Sequence, residues 1–188
     1  MNLILLGGLM NLHPTVKTRV DIAKLCGSLG FKEGAEIGVC KGKFSRVFFW
    51  NVPDLHLHCI DTWKSNPQDP GDEGLLNESN FYHAWKILQP FNVSFMVRAS
   101  MDAVNDFEDE SLDFVYIDAN HTFDYVMEDI INWSRKVKKG GIVSGHDYFR
   151  LRFMNVILAV DTYLKAHTEL KGYITSEDHT PSWWFIKE

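Results

Sequence analysis

Cysteine is scarce in this chain. Three residues, Cys26, Cys40 and Cys59, are spread over 188 positions, and their odd number and wide spacing fit neither a disulfide framework nor a zinc pattern. Each reads as a small buried hydrophobe, and the expected setting is reducing and cytoplasmic. Long apolar runs are also missing. The apolar start, Met1 to Met10, is too short to span a bilayer and lacks the basic region and small-residue cleavage site of a secretory signal. It reads as a segment packed on the body of the protein or on a partner, a second copy of the chain included. No membrane is expected as a partner. Positive charge is in deficit: 19 basic against 25 acidic residues leave a net charge of -6. A nucleic-acid partner is disfavoured, because phosphate binding needs a basic surface. The densest basic group, Arg135, Lys136, Lys138 and Lys139, reads as a solvated helix end, where cations suit the helix dipole. Repeats and low-complexity tracts are absent. What is present is ordinary for a globular protein, with 45% hydrophobic and 23% charged residues, and the length suits one domain spanning residues 1–188.

Apolar spacing from Pro14 onward (Val16, Val20, Ile22, Ala23, Leu25, Leu29) predicts a helix started by Thr15 or Asp21 and ended by Gly30. Short apolar runs then alternate with helical patterns. Strands are predicted over Ala35–Val39, Leu55–Ile60, Val93–Val97, Leu112–Ile117 and Ile142–Ser144. Helices are predicted over Gly42–Phe49, Leu75–Leu88, Ser100–Phe107, Phe123–Val137 (ended by Gly140 and Gly141) and Phe153–Ala166. Lys171–Thr175 and Trp183–Ile186 form a terminal hairpin. The segment from Trp63 to Gly74, rich in Pro, Gly and acidic residues, reads as a long loop, a lid over residues 62–75.

Strand–helix alternation implies parallel pairing through right-handed crossovers, and uniformly apolar strands imply a sheet covered on both faces. The expected fold is therefore α/β, with one doubly wound, mostly parallel sheet of seven strands and an antiparallel hairpin at its C-terminus. In such sheets ligands sit beyond the carboxyl ends of the strands. The polar residues there are Glu36 to Gly42, Asp61, Ser100, Asp118, and His146 with Asp147. Glycines 38 and 42 let the backbone turn tightly before a helix N-terminus that can attract a carboxylate. Asp61 is placed to accept the ribose hydroxyls of a nucleoside cofactor. The Gly-x-Gly-x-x-Gly of dinucleotide enzymes is absent after the first strand, which argues against a nicotinamide oxidoreductase.

Glu36-x-Gly38-x-x-x-Gly42 resembles motif I of the class I S-adenosylmethionine-dependent methyltransferases, with Cys40 where a further glycine is usual. Asp113-Phe-Val-Tyr-Ile-Asp118 resembles their motif IV. Asp118-Ala-Asn-His121 and Lys139-Gly-Gly-Ile-Val-Ser-Gly-His146-Asp147 resemble the branch of small-molecule and sugar O-methyltransferases (methyltransferase family 24-like), over residues 33–186. The resemblance implies a Rossmann-like fold and S-adenosylmethionine held by Glu36, Gly38, Gly42, Asp61, Trp63, Ser100, Met101 and Asp118. It implies methylation of a small-molecule hydroxyl, a sugar among the candidates, with His121 as general base.

Neighbouring strand ends would bring Asp118 and Asp147 together. Two close carboxylates repel unless a cation or proton lies between them. A divalent metal, magnesium first, is the expected occupant, with His146 as a third ligand suited to a transition metal. The alternative is a pair of strand-end carboxylates bonded to loop amides. His121 lies at the same mouth, and histidine suits proton transfer near neutral pH. His56 and His58, at i and i+2 on one strand face, read as packed or edge residues. Trp63, Phe81, Tyr82 and Trp85 read either as packing under the long loop or as a lid against cofactor and acceptor. A non-catalytic cofactor-binding or partner-binding module on the same scaffold is the competing function.

Overall fold

The computed structural model describes residues 10–64, 77–150 and 154–188. Residues 1–9, most of the predicted lid, and the predicted helix start at Phe153 lie outside them. The elements are β1 (Met10–Leu12), α1 (Arg19–Ser28), β2 (Glu33–Ile37), α2 (Lys43–Asn51), β3 (His56–Asp61), α3 (Asn77–Leu88) and β4 (Val93–Val97). They continue with α4 (Ser100–Ala103) running into a 3-10 turn, β5 (Leu112–Ile117), α5 (Phe123–Lys136), β6 (Val137–Gly145), α6 (Val156–Ala166), β7 (Gly172–Ile174) and β8 (Trp183–Ile186). All eight strands join one sheet in the order β1-β7-β8-β6-β5-β2-β3-β4. Pairing is parallel except where β8 inserts antiparallel between β6 and β7, so the doubly wound sheet and its terminal hairpin are as expected.

Among the described residues the sheet has eight strands where seven were expected. The added one, β1, pairs in parallel with β7, Met10 opposite Gly172. Three residues are too few for a period to show, and only the free edge of β7 makes them a strand. A second correction concerns the basic cluster. Helix α5 ends at Lys136 and passes directly into β6, so Lys138 and Lys139 belong to a strand and not to a helix end. Lys138 Nζ pairs with Asp113 at 2.7 Å. The Asp113 carboxylate also accepts the backbone N–H groups of Lys32 and Glu33, closing the start of β2 onto β5.

Helix α1 is opened by Thr18, not Thr15. Thr18 Oγ1 accepts from Asp21 N, and the Asp21 carboxylate accepts from Thr18 N, a reciprocal capping box. Side chains alternate across the strands and build two cores. One lies under α5 and α6, around Ile37, Val115, Ile117, Ile130 and Trp133. The other lies under α1, α2 and α3, around Phe48, Leu57, Phe114, Tyr116 and Trp184. Among the described residues no helix is long and apolar enough to cross a membrane.

From β2 the chain winds outward through β3 and β4, then returns to the other side of β2 as β5 and β6. The strand order reverses between β2 and β5. Two loops part at their carboxyl ends and leave a crevice, as this topology demands.

Candidate active site

The crevice is a cavity of about 710 Å3. Its floor is the turn after β2. Gly38 takes φ +88, and an added Cβ would lie 2.0 Å from the carbonyl oxygen of Asp118. Only glycine lets the β2 and β5 ends approach this closely. Gly42, also at positive φ, precedes the first residue of α2. Cys40 stands at φ +50, so the residue replacing the usual glycine is held in a conformation that glycine would favour. The left-handed region costs an L-residue about 1–2 kcal/mol, part of which glycine returns as unfolded-state entropy. Cys40→Gly is expected to raise stability by about 1 kcal/mol; a urea midpoint equal to or below that of the parent would refute it.

Asp61 ends β3 and organises this turn. Its Oδ2 accepts Val39 N at 3.0 Å and Cys40 N at 2.8 Å, and its Oδ1 accepts Trp63 N at 2.7 Å. A carboxylate has about four acceptor directions, so one is left for a ligand hydroxyl. Trp63 is nearly fully buried, donates Nε1 to the Cys40 carbonyl at 2.8 Å and meets Phe81 edge-on. The indole is therefore tied to the glycine turn and lines the cavity.

Glu36 is 1% exposed and borders the same cavity. Burial pushes its carboxyl up to about 8. Ser45 and Arg19 oppose this rise, while Asp118 and Asp61 add to it. Its Oε2 is buried with no hydrogen-bond partner among the described residues. Native proteins rarely leave such an atom unpaired, which marks it as waiting for a donor.

Ser100 and Met101 open α4 on the cavity wall. Ser100 Oγ donates to Asp129 Oδ1 and accepts from Trp133 Nε1 at 2.8 Å. Asp129 escaped the sequence reading. It sits on the buried stripe of α5 with Val126, Ile130 and Trp133, and it also lines the cavity. Burial pushes its carboxyl up to about 7 against the hydrogen bond from Ser100. A carboxylate at the i+3 position of an apolar helix face was the available signal. Arg19, whose guanidinium lies 4.9 Å over the Phe44 ring beside Glu36, was missed as well.

At the β5 and β6 ends Asp118, His121 and Asp147 place one donor atom each within 4.8 Å of one another. His121 Nε2 lies 2.8 Å from Asp147 Oδ2. His146, placed in the metal set by the sequence reading, holds Asp147 from the other side, with Nδ1 3.1 Å from Asp147 Oδ1 and 3.8 Å from Asp118 Oδ1. Burial pushes Asp118 up to about 6, with His146 opposing and Asp147 reinforcing. Burial would raise Asp147 too, but the hydrogen bonds from His121 and His146 outweigh it and hold that carboxyl well below the usual range. His146 is pushed up: burial lowers it, and Asp147 and Asp118 more than compensate. Asp147, Cys40 and Trp63 all have positive φ, so backbone strain gathers around this crevice. The donor set of two carboxylates and an imidazole is chemically able to hold a divalent ion.

A family model described as a methyltransferase domain matches residues 35–148, the span from β2 to just past Asp147. The chain belongs to this methyltransferase family. A search of curated proteins finds no match. Solved structures share the fold at low identity. A protein provisionally named as a caffeoyl-CoA O-methyltransferase from Staphylococcus aureus is 17% identical with a TM-score of 0.63, over 89% of this chain and 82% of that one. A precorrin-6y C5,15-methyltransferase from Geobacter metallireducens is 15% identical with a TM-score of 0.64, over 95% of both chains. The cofactor-bound protein Rv0187 from MTB is 14% identical with a TM-score of 0.60, over 92% of this chain and 82% of that one.

Proposed function

We propose that this methyltransferase uses S-adenosylmethionine to methylate a hydroxyl group of a small molecule, a sugar among the candidates. The observation that carries the reading is the buried, unpartnered Glu36 oxygen in a cavity that leads to the Asp118/His121/Asp147 cluster. S-adenosylmethionine would supply a methyl group on a sulfonium, and its two positive charges suit a cavity bordered by Glu36, Asp61, Asp118 and Asp129. In this reading Glu36 accepts the ligand's ammonium, Asp61 gives its remaining acceptor direction to a ribose hydroxyl, and Ser100 and Met101 border the base. Gly38 and Gly42 shape the turn, and Trp63 covers it.

His121 takes the proton of the acceptor hydroxyl as the oxygen gains the methyl group, and Asp147 orients the imidazole through their 2.8 Å contact. Asp118 and Asp147, with an imidazole from His121 or His146, would hold a divalent cation. Such an ion would lower the pKa of the acceptor hydroxyl.

Calorimetric titration with S-adenosylhomocysteine, with and without magnesium, tests the reading. Micromolar binding is expected. Its pH dependence follows from Glu36, whose carboxyl is raised to about 8 in the free protein. Below that pH it is protonated and must lose its proton before it can accept the ligand's ammonium, so affinity should rise from pH 6 to pH 8.5. Glu36→Gln should remove the part of this rise near pH 8, while Asp129 and Asp118, raised to about 7 and about 6 on the same cavity, keep their own share. An absence of binding at every pH would leave the non-catalytic module as the surviving reading.

A further inference from the structure

At the opposite end of the sheet, where β2 and β3 begin, three metal-ligating side chains converge. Glu33 and His56 are direct partners in the parallel β2–β3 ladder, and His58 follows on the same face of β3. Glu33 Oε1 lies 2.9 Å from His56 Nδ1 and 2.6 Å from His58 Nε2. The donor atoms of all three lie within 4.8 Å of one another. His56 and His58 were read from the sequence as packed or edge residues, and their carboxylate partner comes from another strand.

We propose that Glu33, His56 and His58 form a second metal site, for a divalent transition ion with zinc first, separate from the active-site crevice. Two imidazole nitrogens and one carboxylate oxygen are borderline donors that select zinc and its neighbours over magnesium or calcium. The ring nitrogen of His56 that faces away from Glu33 is held by Ser94 Oγ of β4 at 2.8 Å. Such a bond to the non-ligating nitrogen sets ring orientation in metal sites. His58 stands edge-on to Phe107, which limits its rotation.

In a tetrahedral zinc site ligand atoms stand about 3.3 Å apart. The present 2.6 and 2.9 Å contacts need open only slightly to admit an ion. Glu33 and His58 border a cleft of about 520 Å3. Its wall also carries Glu108, Lys138 and Asp106, the last paired with Arg98 at 2.7 Å. Ligands from adjacent strands would clip β2 to β3, whose far ends carry Glu36, Gly38 and Asp61.

The test uses cobalt and zinc ions alone as probes, on the parent protein and on two double variants, H56N/H58N and D118N/D147N. D118N/D147N is expected to bind one equivalent of cobalt with visible absorption typical of nitrogen ligands, and the parent to bind that equivalent and one more at the Asp118/Asp147 cluster. Zinc should raise the Tm of both. H56N/H58N should lose the equivalent that D118N/D147N retains, its affinity there falling at least tenfold, while circular dichroism shows an intact fold. The proposal is overturned if D118N/D147N binds no cobalt, or if H56N/H58N binds it unchanged. Should H56N/H58N fail to fold, the D118N/D147N result decides alone: retention of the nitrogen-ligand spectrum supports the site, and its loss overturns it.

Discussion

Gly38→Ala is expected to destabilise the protein by at least about 3 kcal/mol and to weaken S-adenosylhomocysteine binding at least a hundredfold. The new Cβ would lie 2.0 Å from the Asp118 carbonyl oxygen, 2.4 Å from its carbon and 2.8 Å from the Ala119 Cα. All three are backbone atoms, so no side chain can swing aside. Moving them would pull β5 from β2, where Asp118 N donates to the Ile37 carbonyl at 2.7 Å. The residue would also be held at φ +88, a strained conformation for alanine. The effect on binding follows because the same displacement moves Asp118 away from the cavity floor. Urea unfolding measures the first consequence and calorimetry the second. A variant with an unchanged midpoint would show that the two strand ends are not in contact as described.

The second large effect concerns His121. His121→Ala should lower kcat by about 10^2 to 10^4, with the affinity for S-adenosylhomocysteine changed by less than about threefold. Asp147→Asn should fall in the same direction, because it removes the charged partner 2.8 Å from His121 Nε2. A base and a metal ligand can be told apart. If His121 acts as a base, its loss leaves any magnesium-dependent rise in Tm intact while turnover collapses. If it is a required ligand, both vanish together. Unchanged turnover would remove His121 from the chemistry altogether.

How much of this was legible depended on how local each signal was. β4 and β5 stand where the sequence reading placed them, Val93–Val97 and Leu112–Ile117, because each is a short apolar run bounded by polar turns. β1 was illegible, since three residues carry no period. The extent of β6 was also hidden: Gly140 and Gly141 look like helix punctuation, yet the helix has already ended and both lie within the strand. Around the crevice, the strand-end rule named Glu36, Asp61, Ser100 and Asp118, which line one cavity, and His146 with Asp147, which lie outside its lining. It could not tell that Asp61 is largely committed to holding its own turn, or that Asp129 would reach Ser100 from another helix.

By itself the amino-acid order determined the alternation of strands and helices, the sheet class and the chemical groups at each strand end. These follow from near-neighbour patterns of burial and turn chemistry, which any window of the chain carries. Only the tertiary structure decided which groups meet. Glu33 finds His56 and His58, Asp147 finds His121 and His146, and Gly38 meets the Asp118 carbonyl, because strand order and register bring distant segments within a few ångströms. Register depends on the packing of whole faces, a property of the sheet and not of any one segment.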